Sequence, residues 1–543
     1  MTAVVLTAPG VGAGAAVGDS MTVAGWTVVS RVTGLARVVA IGAVLGPTFL
    51  GNTFQFANVL PNLVYYGLLA GSLFTSLLVP ALVRHVDTHD VLAARRIAGG
   101  FLGVALVGLL LLVPLAVVLG PLALQATAGG SHAAGQLAVS TWLIVMLIPQ
   151  VFLYAVAGTC AAVQNSTSRF GLAAAAPAVE NLGTLVVLGV VAAVYAPPRD
   201  LASVPASELA LLGLGTTAAV AVHAGLQWCG ARRSGVTVLP RRGWRDPEVR
   251  ALVRHALPAL AQAGLYALQL LTLLVVANRV AGGVVAFQVA LNFYALPVAL
   301  VATPVALSLL PRLARQARQG DAEAFREELA RGLSFALFFT VPAAVGYVVL
   351  AEPLARALAF GQLAGSPGVT LVAVSCAALA AGVVGQTAVQ IGSYACYARG
   401  DTRTPLQAMR RQAATCLLGV LLASTLDGAA LLAALGTSFS VALLHGALFL
   451  HHRLARQLPP GQVRLGRSLL RISAGATLMA APVWLVAWAV PVLVGGRLGQ
   501  ETALLAGAVV GAGAFLVSQA VSDGPELTWV REGIAHLRAK TAA

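Results

Sequence analysis

Two arginines, Arg31 and Arg37, lie inside the first long apolar stretch of this 543-residue chain rather than at its ends. An arginine at the centre of a membrane-spanning helix costs about 2.5 to 3.5 kcal/mol even on lenient insertion scales. Six residues apart on a helix, the two side chains are separated by about 9 Å along the axis and about 120° around it. Because a guanidinium pairs bidentately with phosphate oxygens, one wall of a water-filled cavity could present both to a diphosphate. The alternative is that Arg31 reaches the cytoplasmic edge of the membrane and only Arg37 is embedded.

Glu180 is the only carboxylate well inside a predicted apolar span. In a low-dielectric environment such a group is expected to be protonated or paired with an arginine. Two roles therefore stay open. Glu180 could relay a proton or bind a monovalent coupling cation, or it could form a structural ion pair with Arg31 or Arg37. No other cofactor and no metal site is predicted.

The composition requires lipid as the solvent for most of these residues, since 58% of the chain is hydrophobic and only 10% is charged. Apolar runs of about 20 residues, the length that crosses a bilayer as a helix, recur along the whole chain. They predict an all-α polytopic membrane protein with about fourteen transmembrane helices. The predicted spans are 22–47, 54–82, 97–124, 136–163, 171–196, 206–230, 251–278, 283–311, 332–350, 367–397, 404–423, 429–451, 470–493 and 502–522.

The net charge of +15 is distributed as a topology signal. Every second loop is basic, with twenty-five arginines in all, whereas the intervening loops hold only Arg199, Arg279, Arg356 and Arg497. The positive-inside rule then places both termini in the cytoplasm. This distribution argues against a nucleic-acid partner, which would need the charge on one soluble face. The sequence contains no Walker motif, so a transporter driven by membrane potential or an ion gradient is favoured over an enzyme or an ATPase.

The two halves of the chain resemble each other weakly at an offset of six helices. Leu60-Pro61 and Val79-Pro80 of the second span are echoed by Leu296-Pro297 and Leu310-Pro311 of the eighth. An even offset implies parallel repeats, hence two six-helix lobes around a central cavity. The predicted organisation is an N-terminal tail (1–21), an N-lobe (22–230), a basic cytoplasmic linker (231–250), a C-lobe (251–452), a cytoplasmic loop (453–469), two C-terminal helices (470–522) and a cytoplasmic tail (523–543).

The motif S-R-x-x-G-x-x-R at residues 30–37, followed by Leu60-Pro61-Asn62, resembles the MurJ (MviN) family of lipid II flippases. The segments 309–311 and 401–405 match that family in kind and place. The resemblance covers essentially the whole chain. It implies a cationic central cavity to which Arg31 and Arg37 contribute, a groove for a lipid tail formed by the last two helices, and alternating access that flips an undecaprenyl-diphosphate-linked peptidoglycan precursor outward.

The sequence departs from the family at several implied substrate-binding positions. Asn52 stands where the family has an acidic residue, Tyr65 where it has the arginine after L-P-N, and Asn292 where it has the cavity arginine of the eighth span. Together with Asn62, these residues complete the candidate substrate site, although side-chain amides in membranes more often bridge helices. The cavity would carry less fixed positive charge than is usual in the family.

Three functions stay open on these grounds. The first is a lipid II flippase of the bacterial inner membrane, with the lipid-linked precursor and the bilayer as partners. The second is an exporter of another lipid-linked or amphipathic solute, which the missing arginines favour. The third is a membrane scaffold without transport activity. Cell-wall synthesis or division proteins are the candidate protein partners.

Overall fold

A computed structural model describes residues 13–65, 78–127, 132–197, 201–459, 465–529 and 531–532, and within these ranges it is helical with short connections. The helices are α1 (Ala13–Leu45), α2 (Phe49–Tyr65), α3 (Val79–Asp87), α4 (Val91–Thr127), α5 (His132–Leu147), α6 (Gln150–Ser166), α7 (Phe170–Val194), α8 (Ala206–Ala210), α9 (Thr216–Arg233), α10 (Pro247–Ala277), α11 (Gly283–Pro297), α12 (Thr303–Gln319), α13 (Ala322–Val349), α14 (Ala351–Leu358), α15 (Ser366–Ala398), α16 (Arg403–Ala423), α17 (Gly428–Gln457), α18 (Leu465–Val494) and α19 (Gly496–Val521). Single π-helical segments join α8 to α9 and α11 to α12.

Twelve stretches among the described residues are long and apolar enough to cross a membrane, and each overlaps one of the fourteen predicted spans. The two further predicted spans are compatible with the structure. Residues 66–77 of the span predicted at 54–82 lie outside the described residues, with α2 before them and α3 after them. The span at 404–423 is α16, whose 21 residues rise about 31 Å as a helix. The predicted all-α polytopic fold is confirmed.

Large apolar side chains on the outer surfaces of these helices are exposed to the surroundings. Leu111, Val509 and Leu493, for example, keep 76%, 73% and 82% of their surface accessible. A protein solvated by water would not expose so many contiguous leucines and valines, because each exposed side chain forfeits about 1.5 to 3 kcal/mol of burial free energy. The hydrocarbon of the bilayer removes this penalty, so these side chains form the lipid-facing surface.

The described residues divide into two compact units. The first comprises the described parts of Met1–Gln288 together with Phe360–Leu363, and the second those of Val289–Ala359 and Ala364–Ala543. A buried core in the first unit joins α4, α6 and the segment after α9, and a core in the second joins α12, α13, α15 and α17. In the second unit, small residues allow α15 and α17 to approach closely, as where the hydroxyl of Ser440 donates to the carbonyl of Ala378 at 2.7 Å. The predicted lobe boundaries stay predictions.

The basic segment between α9 and α10, predicted as a cytoplasmic linker, packs against the first half of α4. The N–H of Arg241 donates to the carbonyl of Gly99 at 2.9 Å, and the Arg95 guanidinium donates to the carbonyl of Gly235 at 2.9 Å. Val236 and Val238 are buried at 3% and 2% exposure. This segment, residues 234–246, is here called the α4 strap. It gives α4 a fixed backbone partner outside the helical bundle.

The turn between α15 and α16 is closed by Asp401. Its carboxylate accepts the backbone N–H groups of Arg403 and Thr404 at 2.9 and 3.0 Å and the Thr404 hydroxyl at 2.5 Å. Partial burial raises the pKa of the Asp401 carboxyl, but these hydrogen bonds and the charge of Arg399 outweigh it and hold the pKa below its ordinary value of 3.8. The ionised carboxylate therefore caps the start of α16.

Asp401→Asn is expected to lower the stability of the purified protein by about 0.3 to 1 kcal/mol near neutral pH, because asparagine keeps a capping oxygen but loses the negative charge at the start of the helix. Because the folded-state pKa is lowered, the contribution is complete above the ordinary pKa and is lost as the pH falls through the folded value. Melting temperatures in detergent should therefore differ between wild type and variant at about pH 6 and converge as the pH falls below the ordinary pKa of 3.8. A difference that persists unchanged in acid would contradict a role for the ionised carboxylate.

Candidate functional site

Glu180 is the centre of a buried polar group in the first unit, formed with Arg37, Tyr154 and His223 and called here the Glu180 cluster. One carboxylate oxygen accepts the Tyr154 hydroxyl at 2.8 Å and the Arg37 guanidinium at 3.2 Å. The other lies 2.7 Å from Nδ1 of His223. Four helices, α1, α6, α7 and α9, each supply one of these side chains. Glu180 as a whole residue is only 6% exposed. The cluster therefore brings a carboxylate, a guanidinium, an imidazole and a phenol together within the membrane-spanning helices.

Local sequence explains how α7 reaches α1 at this point. The first turns of α7 are rich in alanine, and Pro177 lies within the helix three residues before Glu180. Small side chains allow helix axes to approach closely in membranes. Asn181 then donates to the carbonyl of Ser30 and to the hydroxyl of Thr33, both at 3.2 Å, and so joins α7 to α1. Adjacent residues on α7 thus hold both the backbone of α1 and its arginine.

Arg37 is held loosely compared with the other members of the cluster. It contacts Glu180 through Nη1 alone, and its side chain remains 19% exposed. Its Nε is buried and finds no hydrogen-bond partner among the described residues. A bidentate arginine–carboxylate pair would use two parallel N–H groups. The guanidinium therefore keeps unused donor capacity and an accessible edge, as an anion-binding group requires.

An ion pair between Glu180 and an arginine of the first span was one of the two roles that the sequence left open, and the arginine that contacts Glu180 is Arg37. Tyr154 and His223 were not singled out from the sequence, because a tyrosine and a histidine within apolar helices are common and carry no spacing signal. The contact with Arg37 favours an ionised Glu180, which can only accept a hydrogen bond, and in that state Nδ1 of His223 carries the shared hydrogen. The one signal available in the sequence is a histidine within another apolar span, since such a residue could pair with the lone carboxylate.

The remaining predicted site residues occupy different environments. Arg31 is exposed and forms no ion pair with any residue in the described ranges. Tyr65 is 4% exposed, and its ring stacks on that of Tyr154 with centroids 5.7 Å apart, so it borders the Glu180 cluster. Asn62 is half-buried on α2, and Asn292 is half-buried on α11 in the second unit. The structure thus brings Arg37, Tyr65 and Glu180 together in one site.

Asn52 joins two segments of the first unit through hydrogen bonds to the backbone. It is fully buried, its amide nitrogen donates to the carbonyl of Val280 at 2.7 Å, and its amide oxygen accepts the N–H of Val284 at 3.0 Å. Both halves of the amide therefore bind the turn between α10 and α11. In this arrangement the side chain joins α2 to that turn and leaves no polar atom for a ligand.

Asn52→Leu is expected to destabilise the protein by about 2 kcal/mol, because two buried backbone groups lose their partners. The melting temperature in detergent and the amount of protein in the membrane should both fall. Asn62→Leu on the same helix serves as the matched control and should leave both nearly unchanged. If Asn52→Leu is as stable as wild type but inactive, Asn52 contacts substrate and the structural interpretation is wrong.

Comparison with known proteins identifies the family of this chain. The sequence model described as lipid II flippase MurJ matches residues 41–494. The chain belongs to the lipid II flippase MurJ family. Over 523 residues it is 28% identical to the probable lipid II flippase MurJ of Rhizobium meliloti (strain 1021), covering 94% of this chain and 95% of that protein. A homologue from Vibrio cholerae serotype O1, also named probable lipid II flippase MurJ, is 26% identical over 71% of this chain and 73% of its own length.

Solved structures show the same fold at lower sequence identity. A lipid II flippase MurJ in an inward closed conformation superposes with a TM-score of 0.70 at 16% identity, covering 92% of this chain and 98% of that one. An inward-facing multidrug resistance MATE family transporter of the MOP superfamily gives 0.60 at 12% identity, covering 79% and 95%. With its many apolar helices, this member of the MurJ family is a multi-pass protein of the bacterial inner membrane.

Proposed function

We propose that this chain is a transporter that moves lipid II, a lipid-linked peptidoglycan precursor, from the inner to the outer leaflet of the cytoplasmic membrane. The observation that carries the proposal is the match to the MurJ family over residues 41–494. Arg37 supports it chemically, because a partly exposed guanidinium held within a membrane span is suited to a diphosphate. This function is favoured over export of another solute and over a scaffold role.

The substrate site proposed here uses fewer charges than the family pattern implies. Arg31 and Arg37 supply the cationic groups on α1, while Tyr65 occupies the position of a family arginine and stacks on Tyr154. Tyrosine hydroxyls can donate to phosphate oxygens without adding charge. We therefore expect the diphosphate to be bound by two arginines and by neutral donors. A weaker electrostatic attraction would make substrate affinity less sensitive to salt than in members with more arginines.

Three finer features are part of the same proposal. Both termini lie in the cytoplasm, as the arginine asymmetry of the loops supports. The membrane potential or an ion gradient drives the anionic headgroup outward, and a proton or a monovalent cation is the candidate coupling ion. Proteins of cell-wall synthesis or division are the candidate partners.

Expression of this chain in a bacterium whose own lipid II flippase can be depleted tests the proposal. We expect the chain to restore growth and to return lipid II to the outer leaflet, measured as the fraction accessible to a reagent that cannot cross the membrane. If lipid II accumulates on the inner leaflet despite full protein levels, the chain is not a lipid II flippase. An exporter of another solute and a scaffold both predict this second result. Substitutions in the basic loops should harm a scaffold more than substitutions within α1.

A further inference from the structure

We propose that Glu180 is an exchangeable internal counterion, which pairs with Arg37 in the empty transporter and loses this partner when a substrate diphosphate binds that arginine. The loss of Arg37 is accompanied by uptake of one proton by the Glu180–His223 pair. This inference rests on the proposed function and deepens it, since it gives the same site a proton-linked step. In this inference, Tyr154 and His223 hold the carboxylate of Glu180 after Arg37 has left.

The contacts within the Glu180 cluster are unequal in the way that such an exchange requires. Two shorter hydrogen bonds, from Tyr154 at 2.8 Å and with His223 at 2.7 Å, hold the carboxylate from α6 and α9. The contact with Arg37 is longer, 3.2 Å, and uses a single terminal nitrogen. Arg37 can therefore leave without releasing Glu180 from its site. Measured on the side chains alone, Arg37 is the most accessible of the three at 19%, whereas Glu180 and His223 are at 8% and 10%.

A diphosphate competes well for this arginine. Glu180 offers one oxygen to a single terminal nitrogen of Arg37, while a diphosphate offers several oxygens and more negative charge to the accessible part of the guanidinium. Binding of the ligand would thus replace a single contact by a forked one. The ligand gains the guanidinium, and Glu180 loses the cation that neutralised it.

The groups that face Glu180 determine what happens next. They are Arg37 from α1, Tyr154 from α6 and His223 from α9, with the Tyr65 ring from α2 stacked behind Tyr154. No second carboxylate contacts Glu180 among the described residues. Without Arg37, the buried carboxylate loses its guanidinium partner, and an uncompensated charge is costly in a low-dielectric site.

One proton removes that cost. It is taken from water and is bound either by the carboxylate or by Nε2 of His223, which yields a neutral acid or an imidazolium–carboxylate pair. These two forms belong to one coupled titration, so the proton is assigned to the pair. When the diphosphate leaves, the proton is released and Glu180 pairs with Arg37 again. The empty transporter therefore returns without an unpaired cation at membrane depth.

Thermodynamic linkage makes this exchange measurable. If binding takes up one proton, the association constant falls by up to tenfold for each unit of pH increase over the range in which the pair titrates. The protein in lipid nanodiscs is titrated with farnesyl diphosphate by calorimetry, in two buffers of different ionisation enthalpy, which gives the number of protons exchanged. Because the ligand has its own ionisations, wild type is compared with variants under identical conditions.

Glu180→Gln keeps the size of the side chain and removes the exchangeable charge. Relative to wild type, we expect about one proton less to be taken up, affinity near neutral pH at least about tenfold higher, and a correspondingly flatter pH dependence. Glu208→Gln is the matched control, since Glu208 is a buried glutamate of the same unit that makes none of the cluster's contacts. It should behave as wild type. A structural role for Glu180 predicts lower affinity instead.

Other outcomes are equally decisive. Unchanged proton uptake in Glu180→Gln overturns the exchange but leaves the proposed function intact, whereas failure of wild type to bind farnesyl diphosphate overturns the diphosphate site itself. If Glu180→Gln does not accumulate, His223→Gln takes its place, because glutamine can still donate to the carboxylate. It should bind the ligand with proton uptake moved to lower pH. Proton uptake over the same pH range as wild type would contradict the participation of His223.

Discussion

Arg37→Ala is expected to abolish complementation of a flippase-depleted strain while the protein remains in the membrane at near wild-type level. The variant removes the partly exposed guanidinium at the edge of the Glu180 cluster. Tyr154 and His223 continue to hold the carboxylate, and uptake of one proton by the Glu180–His223 pair replaces the lost counterion. Hydrogen bonds to charged groups contribute about 1.5 to 3 kcal/mol, so diphosphate affinity should fall by more than tenfold. Binding of farnesyl diphosphate to the purified variant measures this loss.

Two variants refine the expected result. Arg37→Lys retains the charge without the planar fork and should recover part of the affinity but not all of it. Arg318→Ala is the matched control, because Arg318 is an exposed arginine at the end of α12. It should complement fully. Full complementation by Arg37→Ala at normal protein levels would exclude Arg37 from substrate binding and remove the basis of the exchange with Glu180.

Gly103→Ala is expected to have the largest effect on stability. A Cβ atom at Gly103 would overlap the carbonyl oxygen of Arg241 in the α4 strap. The obstructing atom belongs to the backbone and cannot rotate away, and the neighbouring hydrogen bond from Arg241 to Gly99 fixes the strap on α4. Overpacking of this kind costs about 3 kcal/mol, at the upper end of its usual range. We expect a large fall in melting temperature and in membrane protein level.

Gly108→Ala on the same helix is the control for this experiment. No atom lies within 4 Å of a Cβ built at Gly108, so the substitution meets open space and should be neutral or slightly stabilising in a helix. The pair separates the effect of close packing from that of helix propensity. If Gly103→Ala melts at the wild-type temperature, the α4 strap does not lie against α4 in the membrane.

Part of the site could be predicted from sequence, since a charge within an apolar span is a local signal. Arg37 and Glu180 were both found in this way, and an ion pair between them was one of the alternatives. Their separation of 143 residues left the pairing open, because Arg31 was an equal candidate. Asn52 shows the opposite case. An asparagine within an apolar span can contact either a ligand or a neighbouring helix, and the sequence does not distinguish the two. The hydrogen bonds of Asn52 to the backbone of Val280 and Val284 indicate a contact within the protein.

The sequence by itself determined that this chain is an all-α membrane protein with regularly spaced spans. Hydrophobic length and the placement of arginines act within single segments, so they need no knowledge of neighbours. The tertiary structure decided which polar groups meet. His223 joins Glu180, and the basic segment after α9 becomes a strap on α4, because distant residues are brought together by the packing of whole helices. Such contacts depend on helix rotation and on small residues at crossings, which a hydropathy pattern does not specify.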